Sequence, residues 1–305
     1  IPSLKKVAAH VNVPVATGNR INDPVLAEQI LVEGKADLIA MGTPLIADPY
    51  LPNKAREGQL EDIRMCTACC NCWDDVTKGK PITCSVNARA GRESEYPIIP
   101  AKKSKEVFVI GGGPAGMEAA RVASQRGHQV TLFEKEPKLG GQLLYAALPP
   151  YKEEWNTLVN YLVAQLRKLN VVVRLNEECT VRTVEESKPN AVIVATGSTP
   201  IMPNIPGVDR GNVATAIEVL IGSKPVGQNV VIIGGGSIGC ETAEFLFKMG
   251  KRVTILEMLD RIGADIGDWN RWVIVDRLNA AGIRVETSSK VEVITEKGVK
   301  ITRPN

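Results

Sequence analysis

The 305-residue sequence predicts an α/β fold with a duplicated Rossmann-like dinucleotide-binding unit, and three observations predict it. The succession strand, glycine turn, helix, strand occurs at EVFVIGGGPAGMEAARVASQRGHQVTLFEK and returns at NVVIIGGGSIGCETAEFLFKMGKRVTILEM. Each copy ends its second strand on a carboxylate 18 positions beyond the last glycine, Glu134 in one and Glu257 in the other. Ahead of both copies, the first 60 residues alternate short apolar runs with amphipathic helices, which is the β-α-β rhythm of a parallel sheet.

In chain order, VPVAT reads as a strand, DPVLAEQILVEG as a helix and ADLIAMG as the next strand, followed by a Pro-rich loop and a short polar helix. Two strands cannot cover their own faces, and the first residue is Ile1 rather than Met, so residues upstream are expected to be missing. Residues 61–104 hold a cysteine cluster and a loop rich in Gly, Pro and charge (NARAGRESEYPIIPAKKSK), which reads as an interdomain connection. The first glycine unit begins the segment 105–225, which continues with a helix around 152–169, the strands VVVRL and AVIVATG, and a Pro-rich crossover. The second begins the segment 226–305, which ends in a short hairpin-like stretch.

Composition narrows the function classes. The net charge of +3 is a small excess of 37 basic over 34 acidic residues, with no Lys/Arg run to track a phosphate backbone, so no nucleic-acid partner is expected. No apolar stretch approaches the roughly 20 residues that span a bilayer, and IPSLKKVAAH lacks the features of a signal peptide. The expectation is a cytoplasmic protein without a membrane partner.

The chemistry of the glycine turns explains their spacing. Gly111 permits the tight turn, Gly113 lets the backbone approach a pyrophosphate at the helix N-terminus, Gly116 lets helix and sheet pack closely, and Glu134 receives ribose hydroxyls. Gly234, Gly236, Gly239 and Glu257 repeat the pattern. One such fingerprint is weak evidence, but two in the same strand–turn–helix context, with equal spacing to the acid, are strong. The Glu257 carboxylate would repel a 2′-phosphate, so NADH is expected over NADPH.

GGGPAG (Gly111 to Gly116, with Pro114 and Ala115), LFEKEPKLGGQL, AVIVATGSTP and the second fingerprint together resemble the two-dinucleotide flavoprotein family. That resemblance implies FAD, or ADP, on the first glycine loop, with Gly140, Gly141 and Gln142 near it, and a strand from Ala195 to Gly197 returning toward the flavin. Disulfide reductases of the family place a redox cysteine pair shortly after the first acid. GGQLLYAALPP has none, which disfavours thiol–disulfide chemistry.

Five of the seven cysteines fall within residues 66–84. Cys66, Cys69 and Cys72 are spaced by two residues each, and Cys84 follows after 11 more, which supplies the four thiolates of a [4Fe-4S] cluster. Four thiolates suit zinc equally well, and it is the neighbouring flavin domain that favours iron and sulfur, because a cluster there splits a hydride into single electrons. Cys70 reads as a surplus thiol beside the ligands, and Cys179 and Cys240 as structural thiols.

With their flanks, ATGNRINDPVLAEQIL, MGTPLIADPYLPNKAREGQLEDIR, the cysteines and CSVNARAGRE resemble the 2,4-dienoyl-CoA reductase and trimethylamine dehydrogenase family of the old-yellow-enzyme superfamily. The resemblance covers essentially the whole chain. It implies that residues 1–60 are the last two βα units of a flavin-binding barrel, so that the fold class becomes α/β, the C-terminal remnant of a (β/α)8 barrel followed by two nested Rossmann-like domains. Gly18, Asn19, Arg20, Gly42 and Thr43 would line an FMN phosphate site at the barrel strand ends, although many relatives carry arginine where Thr43 stands.

The implied function is an NADH-dependent oxidoreductase that passes electrons from NADH to FAD, the cluster and FMN, and reduces the C=C bond of an enoyl-CoA or enoate. A homo-oligomer or a larger redox complex is expected. The proton donor falls outside this chain, so no catalytic residue is named. Alternatives are an amine dehydrogenase with structural ADP that passes electrons to a protein partner, a glutamate-synthase-like electron-transfer subunit, and a zinc-bearing scaffold.

Overall fold

A computed structural model describes residues 9–303; residues 1–8, which open the expected barrel segment, and residues 304–305 lie outside the described part. The described residues fall into two compact units, one of residues 9–139 with 157–195 and the other of residues 140–156 with 196–303.

In the first unit β1 (Ala16–Thr17) pairs parallel with β2 (Leu38–Ile39), Ala16 opposite Leu38. Helix α1 (Pro24–Val32) crosses between them. It begins where the Asp23 carboxylate accepts the Val25 amide at 2.8 Å and Pro24 brings a preset φ. Ala27 and Ile30 on its inner face join Ile21 and Ala36 in a small core. The expected strand VPVAT contracts to two ladder residues, because among the described residues β2 is the single ladder partner of β1. Two short helices, α2 (Thr43–Ala47) and α3 (Leu51–Arg56), and one 3-10 turn (Leu60–Asp62) lead to α4 (Asn71–Thr77), which opens inside the cysteine segment.

The first glycine unit forms β3 (Glu106–Ile110), α5 (Pro114–Gln125) and β4 (Gln129–Glu134). A one-turn helix, α6 (Leu143–Ala146), belongs to the second unit. Then come α7 (Trp155–Lys168), β5 (Val172–Leu175), α8 (Val181–Ser187) and β6 (Ala191–Val194). The four strands make a parallel sheet in the order β5-β4-β3-β6. β3 reads as a nearly unbroken apolar run because both faces are covered, with Val107, Phe108 and Val109 all buried. Leu158, Leu162 and Leu166 recur at helical spacing on the buried face of α7, and its last turn carries Arg167 and Lys168, where cations meet the helix dipole favourably.

The second unit adds α9 (Ala216–Leu220), β7 (Asn229–Ile233), α10 (Ser237–Lys248), β8 (Arg252–Leu256), α11 (Asp268–Ala280) and β9 (Arg284–Glu286). The parallel order β7-β8-β9 repeats the β3-β4-β5 side of the first sheet. A hairpin of β10 (Lys290–Thr295) and β11 (Gly298–Thr302) forms a separate antiparallel sheet in the same unit. Cys240, Ala243, Leu246, Ile255 and Leu278 form its core. Among the described residues no helix is long and apolar enough to cross a membrane.

Candidate functional site

The two glycine turns match bond for bond. The amides of Gly111 and Gly234 each donate at 2.8 Å to the second strand, to the carbonyls of Phe133 and Leu256. Gly112 donates to Glu134 Oε2 at 2.6 Å, and Gly235 to Glu257 Oε2 at 2.7 Å. The other carboxylate oxygen takes the amide two residues past the acid, Glu136 at 2.9 Å and Leu259 at 2.8 Å. Both acids are buried. Each therefore locks its turn to its strand while keeping lone pairs for a further donor.

Steric limits explain the glycines. A Cβ on Gly116 would stand 1.9 Å from the Gly111 carbonyl oxygen, and one on Gly239 would stand 2.0 Å from that of Gly234. Gly111 and Gly234 themselves adopt φ of 109° and 101°, open to glycine. Ala195 joins the first turn, its amide donating to Ile110 O at 2.8 Å and its Cβ lying 3.4 Å from where a Gly116 Cβ would be. Pro114 opens α5 and Ala115 follows it, exposed. Gly141 and Gly197 take positive φ of 53° and 74°, and Gln142 Nε2 donates to the Ser198 carbonyl at 2.6 Å, all within the second unit.

One residue absent from the sequence-based reading stands at the second turn. The Asp265 carboxylate accepts the Ser237 amide at 2.9 and 3.1 Å and the Ser237 hydroxyl at 2.7 Å, at the first residue of α10. A Cβ on Gly236 would lie 3.2 Å from both its oxygens.

In the cysteine segment none of the described thiols forms a disulfide. The loop winds through two left-handed non-glycine residues, Ala68 at φ 50° and Cys70 at φ 57°, and the Ala68 amide donates to Cys66 Sγ at 3.4 Å. Burial, with Cys69, Cys66 and Cys84 nearby, pushes the Cys72 thiol up to about 11. Burial also raises the Cys84 thiol, with Cys69 and Cys66 adding to it against the Val86 and Asn87 amides. The four cysteines thus share one neighbourhood, although among the described residues no three His, Cys, Asp or Glu side chains gather tightly enough to hold a single ion. The Thr67 hydroxyl is buried beside Cys66 without a hydrogen-bond partner. The donor set of this loop, cysteine sulfurs with the Ala68 amide on Cys66 Sγ and the unsatisfied Thr67 hydroxyl, is of the chemistry an iron–sulfur group takes.

The barrel-like segment approaches this loop through a residue the sequence did not single out. Asn22 Nδ2 donates to the Cys66 carbonyl at 2.6 Å. Just before it, Asn19 and Arg20 both take left-handed φ, 71° and 55°, and the Arg20 guanidinium lies near enough to Cys70 to oppose the rise that burial imposes on that thiol. A Cβ on Gly18 would touch the Ala40 carbonyl oxygen at 3.0 Å, so this strand end passes close to β2. Gly42 and Thr43 begin α2, where the Gly42 carbonyl accepts the Leu45 amide at 3.0 Å. Arg64 links the loop to α7, donating to Asn87 Oδ1 at 2.8 Å and to the Tyr161 hydroxyl at 3.1 Å.

Two turns of this kind, each tied by its own acid, define a paired dinucleotide-binding oxidoreductase module. Residues 105–304 match the pyridine nucleotide-disulphide oxidoreductase family, and residues 2–62 match the NADH:flavin oxidoreductase / NADH oxidase family. The chain is 40% identical over 325 residues to a metal reductase of Desulforamulus reducens, covering 95% of this chain and 49% of that protein. It is 40% identical over 299 residues to a cinnamate reductase of Clostridium sporogenes, covering 97% and 44%. The solved structure of a 2-naphthoyl-CoA reductase in complex with 2-naphthoyl-CoA overlays with a TM-score of 0.94 at 37% identity, covering 97% of this chain and 45% of that one. The chain belongs to the pyridine nucleotide-disulphide oxidoreductase family, in the branch of the 2,4-dienoyl-CoA reductases and trimethylamine dehydrogenase that joins it to an NADH:flavin oxidoreductase segment. It spans about half the length of the curated relatives it matches.

Proposed function

We propose that the chain is part of an NADH-dependent iron–sulfur flavoprotein that reduces an activated C=C bond, as in an enoyl-CoA or an enoate. The overlay with 2-naphthoyl-CoA reductase along almost the whole chain carries this reading, and the similarity to a cinnamate reductase supports it. Four segments divide the work: 1–60 toward FMN, 61–104 toward the cluster, 105–225 toward FAD and 226–305 toward NADH.

When bound, flavins would supply hydride acceptance at this assembly and a [4Fe-4S] cluster would supply single-electron transfer. The chain's own part is to hold and orient these groups. Gly111, Gly113 and Gly116 at the N-terminus of α5 would receive the FAD pyrophosphate and Glu134 its ribose, with Ala195 at the same turn; Gly141, Gln142 and Gly197 are assigned to FAD by the family resemblance. Gly234, Gly236, Gly239 and Glu257 do the same for NADH. Cys66, Cys69, Cys72 and Cys84 ligate the cluster, and Gly18, Asn19, Arg20, Gly42 and Thr43 receive the FMN phosphate. A homo-oligomer or a larger redox complex in the cytoplasm completes the proposal.

Anaerobic titration of the intact protein with NADH tests it. Flavin and cluster absorbance are both expected to bleach, and a spectrum unmoved by NADH would overturn the reading. Extraction of FMN with ADP in place of FAD would instead favour the amine-oxidising alternative.

A further inference from the structure

The duplication extends beyond the glycine turn and its acid. Counting from the acid, Glu134 is followed five positions later by Leu139 and eight later by Gln142, while Glu257 is followed by Ile262 and Asp265 at the same offsets. The structure supports this pairing. A Cβ on Gly112 would lie 2.5 Å from Leu139, and one on Gly235 would lie 2.5 Å from Ile262, so these two side chains cap their turns in the same way. GGQ in the first copy is therefore GAD in the second, and the neutral amide of Gln142 is replaced by the carboxylate of Asp265.

A second difference accompanies it. The first residue of the helix is Pro114 in the first copy and Ser237 in the second. Proline has no N–H to offer, whereas the Ser237 amide and hydroxyl are both held by Asp265. The helix N-terminus at a glycine turn is where a dinucleotide pyrophosphate is bound, by backbone N–H groups and the positive end of the dipole. Two anions cannot occupy that place together.

We propose that Asp265 fills the pyrophosphate position of the second site when no nucleotide is bound, and that NADH binds by displacing it from Ser237. This rests on the assignment of NADH to the second fingerprint. The exposed carboxylate can swing aside without disturbing the core formed by Cys240, Ala243 and Leu246. Glu257 stays in place, because both its oxygens are tied into the turn. Asp265 thus sets nucleotide affinity without being needed to build the site.

The test is NADH binding to the intact protein held anaerobically with its flavins already reduced, so that no hydride is transferred, followed by quenching of nicotinamide fluorescence for wild type, Asp265→Ala and Asp265→Asn. Loss of a charge-assisted contact that the nucleotide must break is expected to tighten NADH binding about tenfold in Asp265→Ala, with Asp265→Asn intermediate. Thermal melts of both variants identify any that has lost its fold, and the isosteric Asn variant decides the matter if Ala does not fold. Equal or weaker binding in the folded variants, against a wild type that binds NADH, would overturn the role of Asp265 and leave the NADH assignment standing. Absence of NADH binding in wild type and in both variants would remove the NADH assignment and the displacement with it. Binding gained only on removal of Asp265 would support both.

Discussion

The carboxylate of Glu257 accepts the amide of Gly235, 22 positions earlier in the chain, at 2.7 Å, which fastens the glycine turn of the second unit to the end of its second strand. Glu257→Ala leaves that buried amide without a partner, at a cost of about 1–3 kcal/mol, and removes the proposed acceptor for ribose. The variant is expected to melt at lower temperature and to bind NADH at least tenfold more weakly. A melting curve and a nucleotide titration check the two effects separately.

Glu244 on α10 is nearly buried and is held by Arg277 of α11, Nε at 2.6 Å and Nη2 at 3.0 Å. The same guanidinium stacks on Tyr151, 4.5 Å from the ring centre. Arg277→Ala strands the carboxylate and is expected to lower stability by about 3 kcal/mol, whereas Glu244→Gln with Arg277→Met in one chain recovers much of it. Urea unfolding monitored by tryptophan fluorescence measures both.

Removal of one proposed ligand differs from removal of the surplus thiol. Cys84→Ser is expected to lose most bound iron and its broad visible absorbance, and Cys70→Ser to keep both. Iron and acid-labile sulfide content of the purified variants decides it. Equal loss in the two would mean that Cys70 is a ligand.

Cys240 lies fully buried in the second core, and burial, reinforced by Asp265, Glu241, Glu244 and Glu257, pushes its thiol up to about 12. At pH 8 only about one molecule in ten thousand carries the reactive thiolate there. Iodoacetamide labelling of the native protein, read by mass spectrometry, is expected to leave Cys240 unmodified until denaturant is added.

Acid weakens the junction between the cysteine segment and α7. Burial alone would raise the Asp62 carboxyl, but the hydrogen bonds from Lys168 and Gln165, with the Lys168 charge, hold it below its usual value. A depressed carboxyl stabilises the folded state above its unfolded pKa of roughly 3.9, and this contribution fades as pH falls through the lower folded value. The stability difference between wild type and Asp62→Asn is therefore expected to be full at pH 6 and to shrink below about pH 4, as denaturant midpoints would record.

The parts of the molecule legible in the sequence are those written in short-range patterns. EVFVI followed by three glycines specifies a strand, a turn and a helix within about ten residues, and the repeated distance to the acid locates the next strand. Leu158, Leu162 and Leu166 mark the buried stripe of α7 in the same way. Contacts between distant segments left no such pattern. Asn22 reaches Cys66 over 44 positions, and Asp265 reaches Ser237 over 28, each through a loop whose course is set by backbone angles rather than by hydrophobic period. Asp265 was nonetheless recoverable, since the alignment of the two copies continues eight residues past the acid and sets it against Gln142.

That substitution bears on how long a guest stays. A prosthetic group is best served by a berth that nothing contests, and the first copy opens its helix on Pro114, which has no N–H for a carboxylate to hold. A substrate that must depart after every turnover gains from a tethered competitor close at hand. On the proposed displacement, Asp265 re-enters as the oxidised nucleotide loosens, shortening its residence and readying the helix end for the next arrival.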